Sequence, residues 1–116
     1  MGCLIKGLFY TCLLSLTTAS FADCNLAEPP TSSGFCESFR QATECHCMLS
    51  GLPKGQCTNM KLVYRRMIDT LGPLQRVCAY QHHTSTQECI DDWNCYRYGG
   101  LTSDNQLCNG TGNACE

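Results

Sequence analysis

The cysteines constrain this chain most, because ten of its 12 cysteines lie between Cys24 and Cys115. An even number of cysteines in a short exported chain indicates a framework of disulfides. A domain of this size buries only about 60–65% of its unfolded surface, so its hydrophobic core is small. We therefore expect stability to depend on five bridges. The predicted disulfide residues are Cys24, Cys36, Cys45, Cys47, Cys57, Cys78, Cys89, Cys95, Cys108 and Cys115.

The first 22 residues have the pattern of a secretory signal peptide. Lys6 precedes an apolar stretch over residues 7–16, and the small residues Ser20 and Ala22 mark a cleavage site after Ala22. The apolar stretch is half as long as the roughly 20 residues that a membrane span needs. We predict that residues 1–22 are removed and that residues 23–116 form one secreted domain without a transmembrane segment. In a bacterium the destination would be the periplasm.

Apolar residues recur at helical spacing in three parts of the mature chain, which predicts an all-α fold of three to four short helices. Phe35, Phe39, Ala42 and His46 define the first helix, which Gly51 and Pro53 terminate. Met60, Tyr64, Met67, Leu71, Leu74 and Cys78 define the second, and Cys89, Trp93 and Tyr96 define the third, which stops at Gly99. The N-terminal arm and the C-terminal tail are predicted to be irregular.

Proline and capping residues refine these helix boundaries. Pro73 cannot continue a regular helix, so we expect either a kink there or two helices with Pro73 in the first turn of the second. Ser33 and Thr58 are the expected N-caps of the first two helices. Ser85 and Glu88 fit a capping box at the start of the last helix.

Helix geometry limits which cysteines can pair. Cys89 and Cys95 on one helix would lie about 9 Å apart, whereas a disulfide needs Cα atoms within about 7 Å. Cys36 is even further along its helix from Cys45, and Cys45 and Cys47 face opposite sides. Every bridge should therefore link different elements, and Cys45 and Cys47 should tie the first helix to two neighbours.

Charge is distributed unevenly along the mature chain. Residues 23–53 carry a net charge of −3, residues 54–76 carry +4 and residues 77–116 carry −4. The overall negative charge argues against nucleic-acid binding, which needs many aligned cations. Two interpretations remain: the basic segment pairs with acidic ones inside the fold, or it forms a docking face for an anionic partner. Candidate contact residues are Lys61, Arg65, Arg66, Arg97 and Tyr98.

Two clusters have residue types that could support chemistry. Cys45-His46-Cys47 has the residues of a metal site but lacks a second matching pair, so we expect disulfide cysteines and a packed histidine. His82 and His83 precede Asp91 and Asp92, which would suit a general base with an orienting acid. We assign no catalytic residue, cofactor or metal ligand from the sequence.

The pattern as a whole favours a small secreted helical module that binds a partner, expected to be a protein, rather than catalysing a reaction. An effector, an inhibitor or a toxin-like protein has this size and composition. The alternative is a small secreted hydrolase using His82 or His83 with Asp91 or Asp92. A weaker alternative is a carrier of lipid or another small ligand, with methionines of the second helix lining a cavity.

Overall fold

The computed structural model describes residues 23–116, which contain four α-helices. These are α1 (Phe35–Leu49), α2 (Met60–Leu71), α3 (Leu74–Tyr80) and α4 (Thr86–Arg97). Short 3-10 turns occupy Lys54–Gln56 and Cys108–Gly110, and within the described part β-type pairing is limited to one isolated bridge between Leu101 and Leu107. The predicted all-α, disulfide-rich class is confirmed. The predicted signal peptide lies outside the described residues.

The break between α2 and α3 follows the two-helix alternative. Leu71 is the last residue of α2, and Gly72 then adopts a φ of 98°, a conformation that suits glycine because it has no Cβ. Pro73 immediately precedes α3, where its missing N–H leaves no helical hydrogen bond unmade. The chain can therefore fold back at this point, so that α2 and α3 pack as separate helices.

One of the three predicted helix caps is confirmed and two are wrong. The Ser85 hydroxyl accepts a hydrogen bond from the backbone N–H of Glu88, as predicted, but between these two described residues the return bond of the capping box, from the Ser85 N–H to the Glu88 carboxylate, is not formed. The N-cap of α1 is Gly34 rather than Ser33, because the arm packs here: the Ser32 hydroxyl donates to Glu28 at 2.7 Å and accepts from the Gly34 N–H. The N-cap of α2 is Asn59 rather than Thr58.

We expect Asn59→Ala to lower the free energy of unfolding by about 1 kcal/mol. The Asn59 side chain accepts a hydrogen bond from the Leu62 N–H at 3.2 Å, and alanine leaves that donor without its partner. Thr58→Ala is the matched control and should be close to neutral. Urea unfolding followed by circular dichroism compares the two variants. An equal loss in both would contradict the assignment of Asn59 as the cap.

Aromatic side chains from α1, α2 and α4 form the centre of the core. Phe39 packs edge-on against Trp93 with ring centroids 4.9 Å apart, and Tyr64 lies 5.3 Å from the same indole. Phe35 stacks on Phe39 and is completely buried. Aromatic pairs at these distances add about 0.5–1.5 kcal/mol each beyond burial of their area. Trp93 therefore holds α4 against the other two helices.

Within residues 23–116 five disulfides surround this core, and none of them joins two cysteines of one helix. The pairs are Cys24–Cys45, Cys36–Cys115, Cys47–Cys57, Cys78–Cys89 and Cys95–Cys108. As helix geometry predicts, Cys45 connects α1 to the N-terminal arm and Cys47 connects it to the segment before α2. The remaining bridges connect α3 to α4 and the C-terminal tail to α1 and α4. The N-terminal arm, the segment before α2 and the C-terminal tail are thus each fastened to a helix.

Candidate functional site: an apolar pocket

An apolar pocket of about 490 Å³ lies between the four helices and the N-terminal arm. Its lining includes the buried core side chains Phe39, Val63, Val77 and Trp93. The exposed side chains of Leu26 and Tyr80 also line it and mark where it meets solvent. The volume falls in the range of about 300–1,000 Å³ that is usual for small-molecule sites.

Disulfides hold the walls of this apolar pocket. Cys47 and Cys89 line it directly, and their bridges fasten α1 to the Lys54–Gln56 turn and α3 to α4. Cys45, next to His46, anchors the arm that carries Leu26. A cavity with cross-linked walls loses little conformational entropy when it is filled, which favours binding.

Asp92 is the buried acid of the apolar pocket. Its side chain is only 8% exposed, and within residues 23–116 its carboxyl group has no hydrogen bond or ion pair. Burial, together with smaller contributions from the nearby carboxylates of Glu88 and Asp91, raises the pKa of Asp92 to about 7. The group therefore changes charge near neutral pH.

Two histidines from distant parts of the chain meet in the lining of the pocket. The rings of His46 on α1 and His83 in the α3–α4 loop stack with centroids 3.6 Å apart. Partial burial lowers the pKa of His46, and the adjacent His83 lowers it further. The stacked rings present a flat surface to the pocket.

Gln81 holds His83 at this position. Its side-chain N–H₂ group donates to the carbonyl groups of Cys78 and Thr84, and its oxygen accepts from the N–H groups of His83 and Thr84 at 2.9 and 3.1 Å. All four of the usual hydrogen-bonding positions of the amide are thus used by the last turn of α3 and the loop that follows it. Gln81 also lines the pocket, so the loop conformation and the pocket wall are coupled.

The predicted histidine–aspartate cluster is divided by the fold. His83 and Asp92 line the apolar pocket, whereas His82 and Asp91 are not part of its lining. The Asp91 carboxylate instead accepts from the hydroxyl and the N–H of Ser103 at 2.7 and 3.1 Å. No hydrogen bond within residues 23–116 joins a histidine ring to Asp92. The arrangement offers apolar surface with a buried acid rather than a connected base and acid.

The candidate contact residues lie on two different surfaces. Lys61, Arg65 and Arg97 line a shallow hollow of about 200 Å³ together with Tyr64, whereas Arg66 lines the apolar pocket. The Arg97 guanidinium lies 4.2 Å from the Tyr64 ring centroid and 5.4 Å from that of Tyr98. We call Lys61, Arg65, Arg97 and Tyr98 the basic surface.

The expectation that the basic segment pairs with acidic segments inside the fold is wrong for the described residues. The ion pairs present there join Arg40 to Glu37 and to Glu44, all within α1. Lys61 and Arg65 are exposed instead, because α2 turns its apolar side toward the core and its cationic side to solvent.

The sequence does not predict that Asp92, Gln81 and His46 line one pocket. Asp92 was considered only as a partner for a loop histidine, and its burial depends on how α4 packs. Gln81 carries no motif, and His46 was expected to be an ordinary core residue. One feature of the sequence does indicate the pocket. The carrier alternative places methionines of the second helix in the wall of a cavity, and Met67 lines the pocket.

Comparison of the chain with protein-family models, curated protein sequences and solved structures found no significant match. In the described part of the chain, no helix is long and apolar enough to cross a membrane. The fold and the site define a small, disulfide-rich, all-α domain that contains an apolar pocket of ligand size. These features are compatible with an extracellular binding module.

Proposed function

We propose that this protein is a secreted binding module that takes a small apolar ligand in the apolar pocket. The observation that supports this most directly is the pocket itself, a cavity of about 490 Å³ lined mainly by apolar side chains. The ten paired cysteines support function in an oxidising compartment, where disulfides persist. The proposal gives the carrier alternative precedence over a protein-binding effector, because the apolar pocket has the volume and lining of a small-molecule site.

We expect Ala42→Trp to weaken binding of the fluorescent apolar probe N-phenylnaphthylamine by about ten-fold or more. Ala42 is half-buried in the pocket wall, so an indole there occupies space that the probe needs. The measurement is a fluorescence titration of the oxidised protein. Met67→Trp provides a second obstruction, on α2 rather than α1, in case the first variant does not fold.

Gln75→Trp is the matched control, because Gln75 is exposed on α3 and does not line the pocket. It should bind the probe as the wild type does. Far-UV circular dichroism establishes that each variant is folded. Equal probe binding by the wild type and both pocket variants would refute the apolar pocket as the site, and so would absence of binding by the wild type.

The second candidate function is contact with an acidic protein through the basic surface. Tyr98 is 66% exposed beside Arg97, and exposed tyrosine and arginine are typical anchors of protein interfaces. Lys61 and Arg65 add positive charge that has no ion-pair partner in residues 23–116. The double variant Lys61→Glu/Arg65→Glu should weaken binding of an acidic protein but leave ligand binding unchanged, because neither residue lines the apolar pocket. It therefore separates the two candidate functions.

The hydrolase alternative has less support from the geometry. His83 and Asp92 share a pocket, but the stacked imidazole of His83 is not hydrogen-bonded to an acid or to a hydroxyl nucleophile within the described residues. A general base works by being oriented toward the proton that it removes. A ligand-binding role for His83 and Asp92 needs no hydrogen bond between them.

A further inference from the structure

Among the residues that the structure describes, Asp92 is the one acidic residue in the lining of the apolar pocket. A carboxylate can accept about four hydrogen bonds, yet this one accepts none from residues 23–116 although it is only 8% exposed. Buried charges in proteins are generally paired or hydrogen-bonded, because an isolated charge is costly to remove from water. The pocket therefore contains an acceptor whose donor is not supplied by the surrounding residues.

The cationic and titratable neighbours do not supply that donor. Arg66, the cationic pocket residue of α2, directs one guanidinium nitrogen toward the Gln56 carbonyl at 3.4 Å and forms no ion pair with Asp92. His46 on α1 has a lowered pKa and stacks on His83 of the α3–α4 loop. On α4 itself, Glu88 and Asp91 are acidic and add negative potential at Asp92.

We propose that the ligand of the apolar pocket is an amphiphilic amine, whose ammonium group pairs with the Asp92 carboxylate. The apolar part of this ligand lies against Phe39, Val63 and Met67, which line the same cavity. The inference rests on the proposed function and specifies the chemistry of its ligand. A protonated amine supplies both the positive charge and the N–H donors that Asp92 lacks.

An anionic amphiphile is the competing ligand, because Arg66 also lines the pocket. Arg66 is less buried than Asp92 and keeps part of its contact with water. Pairing with Arg66 would place a second negative group in a pocket that already contains Asp92, with Glu88 and Asp91 nearby. An ammonium group relieves that repulsion, so charge complementarity favours the amine.

Isothermal titration calorimetry with octylamine, octanol and octanoate tests the proposal, because the three probes share one apolar chain and differ in charge. At about pH 8 Asp92 is mostly ionised and octylamine is protonated, so octylamine should bind about ten-fold or more tightly than octanol. Octanoate should bind no better than octanol. At about pH 5.5 Asp92 is protonated, and the preference for octylamine over octanol should fall toward equality.

Asp92→Asn should reduce the ratio of octylamine to octanol affinity to about one at pH 8. Glu88→Gln is the matched control, because it removes a carboxylate one turn earlier on α4 that does not line the pocket. It should retain the preference for octylamine.

The outcomes separate this inference from the proposed function. Equal affinity for octylamine and octanol in the wild type, or an unchanged preference in Asp92→Asn, would overturn the amine while leaving an apolar ligand site in place. Tighter binding of octanoate would overturn it in favour of an anionic ligand at Arg66. If none of the three probes binds and N-phenylnaphthylamine also fails to bind, the apolar pocket itself is refuted.

Discussion

The double variant Cys36→Ala/Cys115→Ala is expected to lose about 4 kcal/mol of unfolding free energy, much of the stability of a small domain. These cysteines are 79 residues apart, the longest separation among the five bridges, so their bond restricts the unfolded chain most. Three other bridges lie inside that loop and shorten its effective length, and the expected loss of about 4 kcal/mol takes this shortening into account. In the native state the bond fastens the tail to α1, beside the hydrogen bond from the Cys115 N–H to the Tyr96 carbonyl.

Cys24→Ala/Cys45→Ala is the matched control. All four cysteines of the two pairs are half-buried, so neither variant opens a large cavity. The bridge that the control removes closes a loop of only 21 residues. Its loss should be about 3 kcal/mol or less. Guanidinium unfolding followed by tryptophan fluorescence compares the two variants, and full reduction should unfold the wild type. A larger loss in the control, or native circular dichroism after complete reduction, would contradict this account of stability.

Ionisation of Asp92 is expected to lower the free energy of unfolding of the wild-type protein by about 2–3 kcal/mol as pH rises from about 5 to about 8. Its pKa is about 7 in the native state and close to 4 in the unfolded chain. Between these values the native state binds more protons than the unfolded state, so stability falls as pH rises. Above about pH 8 Asp92 is mostly ionised in both states and this contribution becomes nearly constant.

His46 opposes this trend and must be separated from it. The pKa of His46 is lowered in the native state by burial and by His83, so its contribution to stability is present at high pH and is lost as pH falls. The quantity to measure is therefore the difference in unfolding free energy between the wild type and Asp92→Asn. This difference cancels the histidine contribution that both proteins share.

Urea unfolding at several pH values gives this difference. Asp92→Asn should gain stability relative to the wild type as pH rises from about 5 to about 8, because asparagine cannot ionise. Asp104→Asn removes an exposed carboxylate of the C-terminal tail and should follow the wild-type profile. Parallel profiles for the wild type and Asp92→Asn would show that Asp92 does not carry an unpaired charge in the native state.

The helices were largely predictable because their determinants are local. Spacings of three and four residues located α1 through Phe35 and Phe39, and the Pro73 break and the Ser85 cap were correctly identified. Helical hydrogen bonds connect residues only four apart, so nearby sequence is sufficient to recognise them. The cap at Asn59 was missed by one position because Thr58 and Asn59 are both suitable acceptors. Their local chemistry does not distinguish which of them begins the helix.

The charged residues show where local patterns become insufficient. Lys61, Arg65 and Arg66 are close neighbours in sequence, and all three are candidate contact residues in the sequence, as are Arg97 and Tyr98. Helical rotation places Arg66 on the pocket side of α2 and the other two by Tyr64 on a separate surface. Successive residues of a helix are rotated by about 100° around its axis, so the adjacent side chains of Arg65 and Arg66 reach different surfaces.

By itself the sequence determined that ten cysteines would act as cross-links between elements rather than within a helix. This followed from the rise of the helix and the short reach of a disulfide. The tertiary structure decided which cysteines pair, that His46 meets His83, and that Asp92 lies unpaired in an apolar pocket. Those contacts join residues tens of positions apart, so they depend on how the helices pack and not on local spacing. The cysteines thus define a framework, and the packing of α1–α4 within it creates the site.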